Sequence, residues 1–246
     1  MAFRKLLSSL GIHAPSVETV LGAVSARPGD RLSAKVTLQG GGADVEIEQL
    51  KVDVVTRFED REPTEGWNHP GILLSWQPNE SSFLLRAGET RSWDVSFELP
   101  WEMPLTHARG SAVKGGKAAL RTEVSIDNAL DKGDFDPFQV HALPAQDAIL
   151  QGFDDLGFRL DEAEVKDGTP KGAHNSTARH WQEFEYWFPR PSPVTRQLEC
   201  VFVARRDSLD LILGSTGPFP FSYEQLGSQP DVTAWLEAQL RSQSFL

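Results

Sequence analysis

Apolar and polar residues alternate with a period of two through most of this chain. Leu32, Ala34, Val36 and Leu38 alternate, as do Leu50, Val52 and Val54 on the way to Phe58. Trp93, Val95, Phe97 and Leu99 form the clearest such run, closed by Pro100, and Leu120, Thr122, Val124 and Ile126 repeat it. A period of two places successive side chains on opposite faces, so each run predicts a strand with one buried face. Val17 to Leu21, Phe83-Leu84-Leu85 and Phe138-Gln139-Val140 add further strands. Arg27-Pro28-Gly29-Asp30, Gly40-Gly41-Gly42 and Ala87-Gly88-Glu89 supply turns, and Glu59 to Pro70 reads as a loop carrying Trp67 and His69. About seven strands at this spacing predict a β-sandwich.

The period changes between Leu143 and Leu160. Ile149, Phe153 and Leu156 recur at helical spacing and Gly157 sits where a helix stops, which predicts a short helix near 146–156. Beyond it the alternation resumes. Phe158 to Val165, the aromatic run Trp181, Phe184, Tyr186, Phe188, then Leu198 to Val203 and Leu209 to Leu213 read as strands. Residues 167–177 read as a polar loop. Val232, Trp235, Leu236 and Leu240 predict a helix after Pro230. At the other end, Phe3, Leu6, Leu7 and Leu10 fall on one helical face beside Arg4 and Lys5. Such a helix packs on the chain's own sandwich or, alternatively, serves as a foot on a membrane or partner groove. The expected architecture is all-β: two sandwiches, 1–144 and 145–246, joined by a short helix, with short helices at the termini.

Composition narrows the function classes. The 246 residues are 39% hydrophobic and 24% charged, enough apolar surface for a packed core. A net charge of −11 repels phosphate backbones, so no nucleic-acid partner is expected. The one cysteine, Cys200, lies in a strand-like run and reads as a small core residue; it cannot form an intrachain disulfide, which points to a reducing cytoplasm. No apolar run reaches the roughly 18–20 residues that span a bilayer.

Candidate chemistry is sparse. Asp127, Asp131, Asp134 and Asp136 could offer oxygen ligands to calcium, but their spacing is not that of an EF-hand loop and turn capping is the ordinary role of such carboxylates. None of the six histidines falls in a His-Glu-x-x-His arrangement, no Gly-x-Ser-x-Gly elbow occurs, and Gly110 to Lys117 lacks the spacing of a phosphate loop. That segment reads as a flexible loop able to present Arg109, Lys114 and Lys117 to an acidic partner. No catalytic residue, cofactor or metal is expected.

Taken in order, several blocks resemble the bacterial sporulation-control proteins of the arrestin-like superfamily. They are Leu10-Gly11, Val17 to Leu21, Arg27 to Asp30, Val36 to Gly41, Ala87-Gly88-Glu89 and Val95 to Pro100. Ile126 to Asp136 is similar to the family's acidic segment, Leu156 to Leu160 to its inter-domain signature, and Gln182 to Tyr186 to a later aromatic strand. Pro189 to Pro193 and the tail after Gly214 depart from the pattern. The resemblance implies two side-by-side sandwiches and a regulatory or scaffolding protein, not a catalyst, and it transfers no binding residues. The expected function is a cytoplasmic adaptor that binds an unidentified protein through sandwich edges, loops or the inter-domain cleft. The alternative is a peripheral membrane adaptor whose contacts are Phe3, Leu6, Leu7 and Leu10.

Overall fold

The computed structural model describes residues 5–6, 14–59, 70–126, 132–191, 194–228, 232–243 and 245. The elements run in order β1 (Lys5–Leu6), β2 (Ser16–Leu21), β3 (Ser25–Ala26), β4 (Arg31–Gln39), β5 (Val45–Thr56), β6 (Gly71–Trp76), β7 (Phe83–Leu85) and β8 (Thr90–Glu98). They continue through β9 (His107–Ala108), β10 (Ser111–Ala112), β11 (Ala118–Ile126), β12 (Lys132–Pro137), β13 (Gln139–Val140) and α1 (Pro144–Asp155). The rest are β14 (Arg159–Asp167), β15 (His180–Trp187), β16 (Leu198–Ala204), β17 (Ser208–Leu213), β18 (Thr216–Ser222), α2 (Tyr223–Ser228) and α3 (Val232–Ser242). The all-β class stands.

The first half is a sandwich. One sheet has the order β1-β2-β4-β8; the other is β12-β11-β5-β6, with β7 also paired to β5. Alternation decides what each face meets: Leu32, Ala34, Val36 and Leu38 of β4 are buried, while Arg31, Ser33 and Lys35 are exposed. Leu50, Val52 and Val54 of β5 and Leu120 and Val124 of β11 close the core from the other side. Two buried hydroxyls, Thr19 on β2 and Thr122 on β11, satisfy each other across the sandwich at 2.8 Å.

In the second half the described strands make one antiparallel sheet, β14-β15-β16-β17-β18. Phe184, Tyr186, Cys200, Phe202, Leu209 and Leu211 line its inner face. The layer over that face is helical: Phe153 of α1 stacks on Tyr186 with ring centroids 4.4 Å apart, and Leu236 and Leu240 of α3 are buried in the same core. Pro144 opens α1 at a position whose N–H has no helical acceptor to lose. Gly157 closes it with φ +81°, donating to the Asp154 carbonyl while Phe158 donates to that of Phe153.

The seam between the halves is hydrogen-bonded as well as apolar. The buried Gln182 carboxamide accepts from Leu105 N–H at 2.7 Å and donates to Leu105 C=O at 2.9 Å. The Glu102 carboxylate accepts from Ser176 Oγ and from the N–H groups of Thr177 and Ala178. One continuous cluster of buried side chains runs from Val17 to Leu240.

The structure corrects several expectations. Lys5–Leu6 is a strand antiparallel to β2, not part of an amphipathic helix, because the edge of β2 offers backbone groups that a helical turn would leave unpaired. The segment 109–117 is not free: Arg109 pairs with Asp154 of α1, Lys114 with Glu162 of β14 at 3.4 Å, and Lys114 C=O accepts from Ala163 N–H. Those cations serve the seam. β18 escapes the alternation because Pro218 and Pro220 interrupt it, which an edge strand tolerates.

Candidate functional site

The longest proline-free edge that the fold leaves open among the described residues is the outer edge of β8. In the ladder to β4, Leu99 N–H donates to Asp30 C=O at 2.8 Å and Gly40 N–H donates to Glu89 C=O at 2.7 Å. The register runs without a shift from Arg31↔Glu98 to Gln39↔Thr90. Hydrogen-bonded pairs alternate in an antiparallel ladder, so Arg91, Trp93, Val95 and Phe97 spend their backbone groups on β4. The N–H and C=O groups of Thr90, Ser92, Asp94, Ser96 and Glu98 therefore point outward. Among the described residues, no backbone hydrogen bond reaches them.

Both edges of the second sheet are blunted. β18 carries Pro218 and Pro220, which cannot donate. β14 is covered where Lys114 C=O accepts from Ala163 N–H and Glu59 N–H donates to Val165 C=O. β8 is nine residues long and holds no proline. Its exposed face reads Thr90, Ser92, Asp94, Ser96, Glu98; its inner face reads Arg91, Trp93, Val95, Phe97. Trp93 lies against Phe83 of β7, ring centroids 6.1 Å apart, and the Arg91 guanidinium sits 4.7 Å from the Phe83 centroid. These side chains close the mouth of the sandwich just inside the open edge.

The outer face of the second sheet is acidic. Cross-strand register places Glu162 beside Glu185 and Glu185 beside Glu199, with Glu164 beside Glu183 in the next row. Like charges directly opposite each other oppose pairing. Lys166 offsets part of this, holding Glu59 at 3.2 Å, Glu164 at 3.6 Å and Glu183 closer still. Burial, with Glu59 next to it, pushes the Glu164 carboxyl up to about 7. Burial and the Glu183 charge raise Glu185 too. Carboxylate oxygens of Glu164, Glu183 and Glu185 lie within 4.8 Å of one another, and the Lys166 ammonium supplies the positive charge to that group. An open cavity of about 470 Å³ lies over this face, walled by Trp181, Glu185, Glu199, Val201 and Phe245.

The inter-domain cleft is nearly closed. The cavity there, between Glu102, Leu105, Gln146 and His180, measures about 20 Å³, room for about one water. Burial lowers the pKa of His180, whose Nε2 donates to Glu102 C=O at 3.2 Å.

Of the residues singled out from sequence, Phe3, Leu7 and Leu10 lie outside the described residues, as do Trp67, His69, Asp127 and Asp131. Leu6 is on β1. Asp134 and Asp136 sit on β12, opposite Thr122 and Leu120, and Asp134 accepts from Phe135 N–H. Cys200 is fully buried and burial raises its thiol pKa, as a core residue requires. Sequence spacing missed the contact of His107 with His141, whose ring centroids lie 4.9 Å apart at a tilt of 33°, and it missed the Glu59–Lys166–Glu164 group, because only the fold brings these segments together. The alternation of β8 was visible; that it ends a sheet was not.

Residues 3–216 match the family described as SpoOM protein (Spo0M). The chain belongs to the Spo0M family. The sporulation-control protein spo0M of Bacillus subtilis (strain 168) is 29% identical over 214 residues, spanning 85% of this chain and 78% of that protein. The crystal structure of Spo0M from Bacillus subtilis covers 94% of this chain and 99% of its own, with a TM-score of 0.74 at 24% identity. That fold is shared across nearly the whole chain. No helix among the described residues is long and apolar enough to cross a membrane.

Proposed function

We propose that this protein is a non-catalytic regulatory adaptor of the cytoplasm that captures an extended segment of a partner protein on the outer edge of β8. The observation that carries this reading is the row of outward-facing backbone groups at Thr90, Ser92, Asp94, Ser96 and Glu98, unpaired among the described residues, on a proline-free edge strand. Natural sheets cover or blunt such an edge unless it is used, and an added strand gains affinity from main-chain hydrogen bonds. Similarity to a protein named for sporulation control supports a regulatory role. The small cleft and the acidic outer sheet favour the edge over a pocket chemistry. The pairing of Lys5–Leu6 to β2 speaks against a helical membrane foot.

Ser92 and Ser96 direct their N–H groups outward, so a double Ser92→Pro, Ser96→Pro variant removes two docking donors and leaves the β4 ladder whole. Affinity enrichment with this variant, at unchanged thermal midpoint, is expected to lose the partners that the parent protein retains. Retention of the same partners would contradict the reading.

A further inference from the structure

The rows of charge that cross the first sheet end on acids at this open edge. Lys35 of β4 is the cross-strand neighbour of Asp94, and Arg31 is the neighbour of Glu98. Between them Ser33 faces Ser96, and Thr37 Oγ1 lies 3.2 Å from Ser92 Oγ. All of these except the half-buried Thr37 are exposed. Each row thus reads cation, acid, then the place an added strand would fill. Directly opposed residues on neighbouring strands interact, opposite charges favourably and like charges unfavourably. The residues of an incoming strand facing Asp94 and Glu98 are four apart whichever way that strand runs, and both would lie on the exposed face.

Inside that pair the pattern inverts. Val95 and Phe97, both buried, point into the sandwich, and Trp93 and Phe83 line its mouth. Strand residues facing Val95 and Phe97 would cover this apolar rim, and the one facing Ser96 would sit in a small polar row. Resting on the docking function proposed above, we infer that the β8 edge selects an extended segment of another protein with the pattern basic, apolar, small polar, apolar, basic. The net charge of −11 draws such a segment in from a distance.

A second copy of this chain meets like charge in two of its registers on this edge. Antiparallel self-pairing centred on Ser96 sets Asp94 against Glu98 twice, and centring on Asp94 sets that carboxylate against its own copy. The acids that invite a basic strand disfavour another β8 in those two registers.

Fluorescence anisotropy with labelled peptides tests this. The probes are Thr-Lys-Val-Ser-Val-Lys-Thr, its charge-reversed form with Glu for Lys, and a scrambled form of the basic peptide that lacks the alternation. The basic peptide is expected to bind roughly tenfold tighter than the acidic one at low salt, and tighter than the scramble. The preference should vanish in an Asp94→Asn, Glu98→Gln variant, whose neutral isosteres keep the fold. Ser96→Pro should weaken binding whatever the charge. Equal affinity for the two charge forms, a preference that survives the Asn/Gln variant, the absence of any peptide binding, or β8-dependent self-association in sedimentation would each overturn the inference. If the proline variant still loses captured partners while the peptides show no charge preference, docking at the edge stands and only the proposed specificity falls. If capture is indifferent to proline and no peptide binds, both fall.

Discussion

Single side chains hold the two halves of this molecule together, and Gln182 is the clearest of them. It satisfies both backbone groups of Leu105 in a site closed to solvent. Gln182→Ala strands a buried donor and a buried acceptor, each at about 1–3 kcal/mol. Urea denaturation should therefore show a loss of about 2–6 kcal/mol, and a change within ~0.5 kcal/mol would contradict the clamp. Glu164 gives a prediction of opposite sense. Its carboxyl is pushed up to about 7 in the folded protein from the usual 4.5, so the fold gains protons, and stability from this group, as pH falls through 7. Above 7 the ionised group is a liability beside Glu59 and Glu185. Glu164→Gln should stabilise the protein most at alkaline pH, with the gain shrinking as pH drops toward 4.5. Denaturation midpoints across that range would show it; a gain independent of pH would contradict the assignment. His180 pulls the other way. Its pKa is lowered by burial, so stability from the neutral ring is lost as pH falls below about 6.5. The comparison must accordingly be made between variant and parent, not read from one curve.

Elements were legible in the sequence to the extent that one local rule governed them. The alternation of Leu32 to Leu38 and of Leu120 to Ile126 located β4 and β11, and the helical spacing of Ile149 and Phe153 located α1, because burial of one face was enough to set each pattern. Three elements did not obey a local rule. β18 is punctuated by prolines that its edge position permits. β12 was hidden in an acidic segment, where Asp134 is buried on a strand. Lys5–Leu6 has helical apolar spacing around it, yet the edge of β2 decides its conformation. The candidate site was legible only in part: the composition of β8 was plain, but its place at the end of a sheet depends on which strands come to lie beside it. The same limit hid the proline test, since the parity of Ser92 and Ser96 comes from the ladder to β4.

At the scale of the whole molecule, the strands before α1 pair only among themselves, as do those after it, yet the buried side chains form one continuous core from Val17 through Phe153 and Tyr186 to Leu240. Calorimetry should thus record one cooperative unfolding transition, and two resolved transitions would contradict a shared core. That rigidity suits the proposed adaptor role, in which the seam is locked and the edge of β8 is the proposed docking surface. The most direct measurement of this account is residue-resolved amide hydrogen exchange along that strand in the free protein. The account predicts an alternation, with the amides of Trp93, Val95 and Phe97 slow because they donate to β4, and those of Ser92, Asp94 and Ser96 faster by at least about tenfold. Added partner should slow the second set alone. Uniform protection of all six amides in the free protein would mean that the edge is already covered, and the proposed docking function would fail.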